Sequence, residues 1–148
     1  MQSTPHLQVV DSQLGPSKPE WYKQPRRPIC EILADLSKPI PNKYLDSRKQ
    51  GGTNLTYLPW YNAVKLLDRV TGGHWDYAIA NIHTTPDRLI LTARITIHAA
   101  EGSFTREATG TETLSCGSYG DPSSNAESMA LRRAAAKFGL ALYLYDKD

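Results

Sequence analysis

Arg132 and Arg133 stand side by side in the stretch SSNAESMALRRAAAKFGLALYL (Ser123–Leu144), and Lys137 follows four residues after Arg133. On a helix these three charges project within about one and a half turns, roughly 8 Å of axis at the standard rise. Ser128, Arg132 and Ala136 share one face; Arg133 and Lys137 share the adjacent one. No Asp or Glu occupies the i−4 position of any of the three cations, so ordinary helix ion pairs do not account for them. A second basic step, Arg48–Lys49, precedes Gly51–Gly52 in the segment SRKQGGTNLTYLPW (Ser47–Trp60). Guanidinium groups grip phosphate oxygens in pairs, which ammonium groups do less well. Glycines let a backbone bend sharply or approach a ligand closely. The chemistry on offer is electrostatic, and a phosphate backbone is its natural object. The same residues also suit a plain polar loop followed by a surface helix.

Other chemistries find little support. No nucleophile, base and orienting residue form a recognisable set, and there is no Gly-x-Ser-x-Gly. Asp76, Glu107 and Glu112 are spread along the chain. Cys30 and Cys116 are too few for a disulfide framework or a cysteine zinc site, and His6, His74, His83 and His98 lack ligand spacing. The loop Leu114–Pro122 (LSCGSYGDP) has glycines but not the GxxxxGK[ST] pattern of a phosphate loop. No metal and no cofactor are expected. The 148 residues, 40% hydrophobic and 22% charged, suit one soluble domain. Net charge is only +2, but residues 1–72 hold ten Lys/Arg against six Asp/Glu, while residues 73–148 hold seven against nine. No apolar run approaches the roughly 20 residues of a membrane span. The N-terminus has neither an apolar secretory core nor the basic richness of a mitochondrial transit peptide.

The elements that would position these cations follow from pattern. Residues 1–28 contain five prolines among Gln, Ser and Lys, which predicts a flexible tail. Trp21 and Tyr22 stand out in it as residues that could dock on the domain or on a neighbouring subunit, and Arg26 and Arg27 as residues more suited to a solvated tail than to an anionic partner. Residues 29–148 are expected to form a single domain. Ile29, Ile32, Leu33 and Leu36 have helical spacing, stopped by Pro39 and Pro41. Asn42–Thr56 reads as a polar loop. Pro59–Thr71 reads as a helix, with Trp60, Ala63, Val64, Leu67 and Val70 on its apolar face and Gly72–Gly73 as its stop. Strands are predicted over Trp75–His83, Arg88–Ala99 and Phe104–Thr113. The middle one alternates most clearly, with Leu89, Leu91, Ala93, Ile95 and Ile97 on one face and Arg88, Ile90, Thr92, Arg94, Thr96 and His98 on the other. Short connections make this an antiparallel meander, with one face covered by helices and the other open. Ser123, Ser124 or Asn125 would cap the last helix, whose stripe is Leu131, Ala134, Ala135 and Phe138. Leu140–Tyr145 should dock on the core. The fold class is α+β, with a β-β-β-α core preceded by a helix.

LRRAAAKFG (Leu131–Gly139) resembles the LKRALRSFG-type helix of the Rad52 family of single-strand annealing proteins. SRKQGGTNLTYLPWYNAVKLLDRVTGGHW (Ser47–Trp75) resembles that family's basic segment, glycine run, helix and Gly-x-x-Trp. The ending KFGLALYLYD is similar to the bacterial DdrA-like branch. The resemblance covers roughly residues 30–146 and implies assembly into an oligomeric ring or arc. Single-stranded DNA would lie in a basic groove shared around the oligomer, and complementary strands would be annealed without ATP, in recombinational repair. By the same resemblance Arg48 matches the groove arginine before the glycines, with Lys49 beside it, and Arg132 and Arg133 match the basic pair of the groove helix. A further basic position of the family falls at Ala136, where Lys137 is the substitute. Arg88 is the nearest candidate for an outer DNA site, and the loop Leu114–Pro122 lacks that site's other lysine. The eukaryotic C-terminal recombinase- and RPA-binding region is not expected.

The resemblance implies an annealing protein rather than an enzyme, with single-stranded DNA, further copies of itself and a single-strand binding protein as partners, and no membrane. The expected location is the bacterial cytoplasm, in association with the nucleoid. Three rivals remain. A double-stranded RNA-binding module has a similar α-β-β-β-α order, but its lysines would lie at the start of the last helix, where this chain has SSNAES. A nuclease would need carboxylate-bound metal. An ERF-type phage annealing protein would share the function.

Overall fold

A computed structural model describes residues 24–117 and 120–146 of the chain. The anticipated docking of Trp21 and Tyr22, and most of the flexible tail expected over 1–28, fall outside these residues. The order of elements is helix α1 (Ile29–Leu36), strands β1 (Asp46–Gln50) and β2 (Thr53–Tyr57), helix α2 (Trp60–Thr71), strands β3 (Trp75–Thr84), β4 (Arg88–Ala99) and β5 (Gly102–Thr113), and helix α3 (Pro122–Ala136). Short 3-10 turns occupy Asn42–Tyr44 and Leu142–Tyr145. The architecture is α+β, as the alternation of β4 and the stripes of α2 and α3 demanded.

The sheet β3–β4–β5 is an antiparallel meander. Its inner face carries Leu91, Ala93, Ile95 and Ile97, all buried, and α3 lies across β4 and β5. The helix can sit that close because small residues line both surfaces. Ala126, Ala130 and Ala134 are fully buried, and Gly110 of β5 faces the helix backbone. A Cβ at Gly110 would stand 1.9 Å from the carbonyl oxygen of Ala126 and 2.7 Å from the amide nitrogen of Ala130. Ile32 and Leu36 of α1, Leu67 of α2, and Phe138 complete the core. Residues from Gln24 to Pro28, grouped with the tail on composition, are tied to the domain. Arg27 pairs with Asp35 at 2.7 Å and donates to the carbonyl of Val70 at 2.9 Å, and its own carbonyl accepts from Ala100.

Two local readings need correction. The polar segment expected as a loop is a β-hairpin, with Gln50 opposite Thr53 and Gly51–Gly52 as its two-residue turn. Both glycines have positive φ, 61° and 80°, as tight hairpin turns of this hand require. Its strands are mostly exposed, so no hydrophobic alternation advertised them. The cap of α3 is Asp121, whose carboxylate accepts from the amides of Ser123 and Ser124, rather than one of the three residues after Pro122. A register shift between Ile79 and Asn81 interrupts β3, and the helices leave that end uncovered, so Ile79 and Ile82 are exposed.

Candidate nucleic-acid interface

The hairpin brings Arg48 to α3. Asp46 pairs with Tyr57 and Arg48 with Leu55, so Arg48 and Tyr57 share one face of the ribbon. The Arg48 guanidinium carbon lies 5.3 Å from the centre of the Tyr57 ring. The Arg132 guanidinium carbon, arriving from α3, lies 5.4 Å from the same ring. One tyrosine thus orders two cations from distant parts of the chain, each within the distance at which a ring's electron-rich face attracts a cation. Arg132 is also held by its own helix, its Nε donating to the carbonyl of Ser128 at 3.2 Å. The three side chains line a cleft of about 170 Å³, together with Ala63 of α2 and Leu144 and Tyr145 of the terminal turn.

Burial pushes the Arg132 guanidinium below its usual pKa. Tyr145 opposes that shift, Arg48 adds to it, and Tyr57 opposes it. Arginine stays charged at any relevant pH, so the consequence is a half-dehydrated cation facing a second one. An anion arriving between them relieves both their repulsion and the lost hydration.

The remaining expected site residues go elsewhere. Arg133 and Lys137, anticipated as neighbours of Arg132 in one cluster, turn to the opposite side of α3. Arg133 donates to the carbonyl of Thr109 at 2.7 Å and Lys137 to that of Glu107 at 2.6 Å. Both carbonyls belong to β5, an edge strand of the sheet, so these two cations cover backbone acceptors that an edge would otherwise present to other chains. Arg106 joins them, stacked on Phe138 at 4.9 Å and donating to the carbonyl of Lys137. Ala136 is buried, and Lys137 therefore does not stand in at the Arg48–Arg132 cleft. Lys49 alternates to the ribbon face opposite Arg48, across from Asn54, and is exposed. Arg88 lies on the open face of the sheet, its Nε donating to Thr111 at 3.1 Å.

Two features escaped the sequence reading. Tyr57 is the first. Its signal was present: a two-residue turn at Gly51–Gly52 sets the register, and the register puts Tyr57 on the face of Arg48. The second is a Ser–His–Asp arrangement on the open sheet face, where His98 bonds Ser103 at 2.7 Å through Nδ1 and Asp76 at 2.6 Å through Nε2. Cross-strand register assembles it. None of its members lines the Arg48–Arg132 cleft. Among the described residues no group of three His, Cys, Asp or Glu side chains could hold a metal ion. Glu107 is engaged by Arg94 and Glu112 by Asn125.

Fold and cleft together define an α+β domain with a helix-backed meander and a hairpin that carries a cation to that helix. The chain belongs to the Rad52/22 family of double-strand break repair proteins, whose family model matches residues 29–148. It is 35% identical over 127 residues to "DNA repair RAD52-like protein 1, mitochondrial" of Arabidopsis thaliana, covering 82% of this chain and 70% of that protein. It is 36% identical over 122 residues to "DNA repair RAD52-like protein 2, chloroplastic" of the same plant, covering 80% of this chain and 61% of that protein. These matches overturn the expected bacterial, nucleoid-associated location. Compartment leaves no mark on a core and a basic cleft, so the residues of the domain could not have revealed it. The relatives found are plant proteins, and the likeness to the DdrA-like branch rests on the ending KFGLALYLYD alone.

Proposed function

We propose that this domain binds single-stranded DNA and anneals complementary strands during double-strand break repair, without ATP and without catalysing a covalent step. The convergence of Arg48 and Arg132 on Tyr57 is the observation that carries this reading. Two forked cations on one rigid ring suit successive phosphates, and contacts to phosphate leave base edges free to test a partner strand. One such cleft is small, so a strand long enough to anneal needs several. Assembly of copies into a ring or arc supplies them, and exposed apolar residues offer surface for it: Ile79 and Ile82 on β3, Trp60 and Tyr61 on α2, and Leu142 and Tyr145 at the terminal turn. Arg133 and Lys137 on the other side of α3, and Lys49 on the far face of the ribbon, are further DNA contacts outside the cleft, and Arg88 is the outlying candidate for a second DNA site. A single-strand binding protein, which occupies the same substrate, is the expected protein partner. An organelle of a eukaryotic cell is the proposed location, by analogy with the two plant relatives.

Annealing of two labelled complementary oligonucleotides, followed without nucleotide or metal, tests the proposal. Arg48→Ala with Arg132→Ala should abolish both binding and annealing while leaving circular dichroism and solution mass unchanged. Undiminished annealing by that variant, or a wild-type protein that is strictly monomeric, would show the reading to be wrong.

A further inference from the structure

β5 carries an arginine where its alternation calls for an apolar residue. Phe104, Arg106, Ala108 and Gly110 lie opposite Ile97, Ile95, Ala93 and Leu91, so all four belong to the helix-facing side of the sheet. Ala108 is buried, yet Arg106 is exposed. The reason is that α3 stops at Ala136, with Lys137 as its C-cap. The guanidinium leaves the core beside that end, over the Phe138 ring and onto the carbonyl of Lys137. A cation there offsets the negative end of the helix dipole. That structural role uses one of the five N–H donors an arginine has.

Lys137 and Arg133 stand along the same seam. They are four residues apart on the helix, about 6 Å of axis. The Glu107 and Thr109 carbonyls they meet are two residues apart on an extended strand, about 7 Å at the usual rise. Uncharged carbonyls thus orient all three cations and neutralise none of them. Among the described residues no carboxylate pairs with Arg106, Arg133 or Lys137. Glu107, next to Arg106 in the chain, turns to the open face of the sheet and pairs with Arg94 at 2.7 Å. Each of the three heads makes one hydrogen bond among the described residues, which leaves further donors on each.

We infer that Arg106 is a phosphate-binding residue, and that Arg106, Lys137 and Arg133 form one track for a DNA backbone along the seam of α3 and β5. The inference rests on the proposed DNA-binding reading and adds a third cation, from the sheet, to two from the helix. The stack on Phe138 already fixes the Arg106 side chain, so holding it on a phosphate costs little further entropy. Its planar fork can grip two phosphate oxygens at once. Such contacts position a strand without reading it, which leaves the bases free to test a complement.

Binding of the full chain to labelled oligo(dT), read by fluorescence anisotropy at several salt concentrations, tests this. Arg106→Met keeps a long side chain on Phe138 without the charge, and Arg106→Gln keeps a donor for the Lys137 carbonyl. Each should make the slope of log K against log salt shallower by about 0.7 per subunit engaged, and so lower affinity about fivefold at 0.1 M salt, the factor that this slope gives between 1 M and 0.1 M. Arg106→Lys should keep the wild-type slope. In the wild type, oligo(dT) should protect Arg106 from an arginine-directed dicarbonyl reagent, mapped by peptide mass, a measurement that needs no variant to fold. A wild-type slope in the Met and Gln variants, even with a lower denaturant midpoint, would leave Arg106 as a helix-end contact only and overturn the track, as would equal modification with and without DNA. Loss of binding by the Arg48–Arg132 double variant alongside either of these results would confine the failure to the track; normal binding by that variant would instead remove the DNA reading of the cleft.

Discussion

Replacing Tyr57 by leucine separates the charge of the cleft from its order. Leucine fills much of the same space beside Leu55 but has no π face. A cation over an aromatic ring gains roughly 0.5–1 kcal/mol at an exposed site and about 2 kcal/mol when desolvated. Arg48 is exposed and Arg132 half-buried, so the two stacks together are worth about 2–3 kcal/mol on that scale. Part of that holds the hairpin against α3, and part fixes the guanidiniums for DNA. If the parts are similar, affinity for single-stranded DNA falls about tenfold, the equivalent of 1.4 kcal/mol, and folding stability falls by about 1 kcal/mol. The dependence of binding on salt should not change, because both charges remain. Arg48→Ala and Arg132→Ala should each make the slope of log K against log salt shallower by about 0.7 per subunit engaged, the single-strand value for one phosphate. Titrations at several salt concentrations, with denaturant midpoints as a stability control, give both quantities. A Tyr57→Leu protein with unchanged affinity, or with a slope as shallow as the arginine variants, would mean that the ring does not organise the cations.

Arg132→Ala should weaken DNA binding more than Arg133→Ala, because only Arg132 shares the ring with Arg48; the two single variants compared at one salt concentration check this. Arg133→Ala with Lys137→Ala should raise self-association beyond the wild-type assembly, seen by sedimentation, since it uncovers the Thr109 and Glu107 carbonyls of an edge strand. Gly110→Ala should destabilise the domain by about 1–3 kcal/mol in chemical denaturation, the usual cost of overpacking, because the new methyl meets helix backbone that cannot rotate away. Hydrogen bonds from Lys38 and Arg27 hold the Asp35 carboxyl below its ordinary value of 3.8. The stability it contributes is therefore present above that value and is lost as pH falls through the lower folded pKa. Asp35→Asn should flatten the acid limb of a stability-against-pH curve in that window, by less than about 1 kcal/mol for a pair this close to solvent.

The meander was legible because burial imposes a period. β4 alternates Leu91, Ala93, Ile95 and Ile97 against Thr92, Arg94, Thr96 and His98 since one face meets α3 and the other meets water. The ends of α2 were legible from Pro59 and Gly72, whose backbone preferences are local. The hairpin was not, because strands exposed on both faces have no hydrophobic period, and only the glycine pair hinted at it. Nor was the bulge in β3, since an extra residue slips the register without any distinctive side chain.

The candidate cations were themselves readable from type and spacing, as was their suitability for phosphate. Their grouping was not. Arg132 and Arg133 are adjacent in the chain, yet a helix sends neighbours about 100° apart, and the surfaces waiting on either side decide what each one meets. Arg132 meets a tyrosine that the hairpin delivers from far back in the sequence, and Arg133 meets the bare carbonyls of an edge strand. Sequence determines which charges exist and which helix carries them. Tertiary packing determines which of them stand together, because only the docked hairpin and the outermost strand supply their partners.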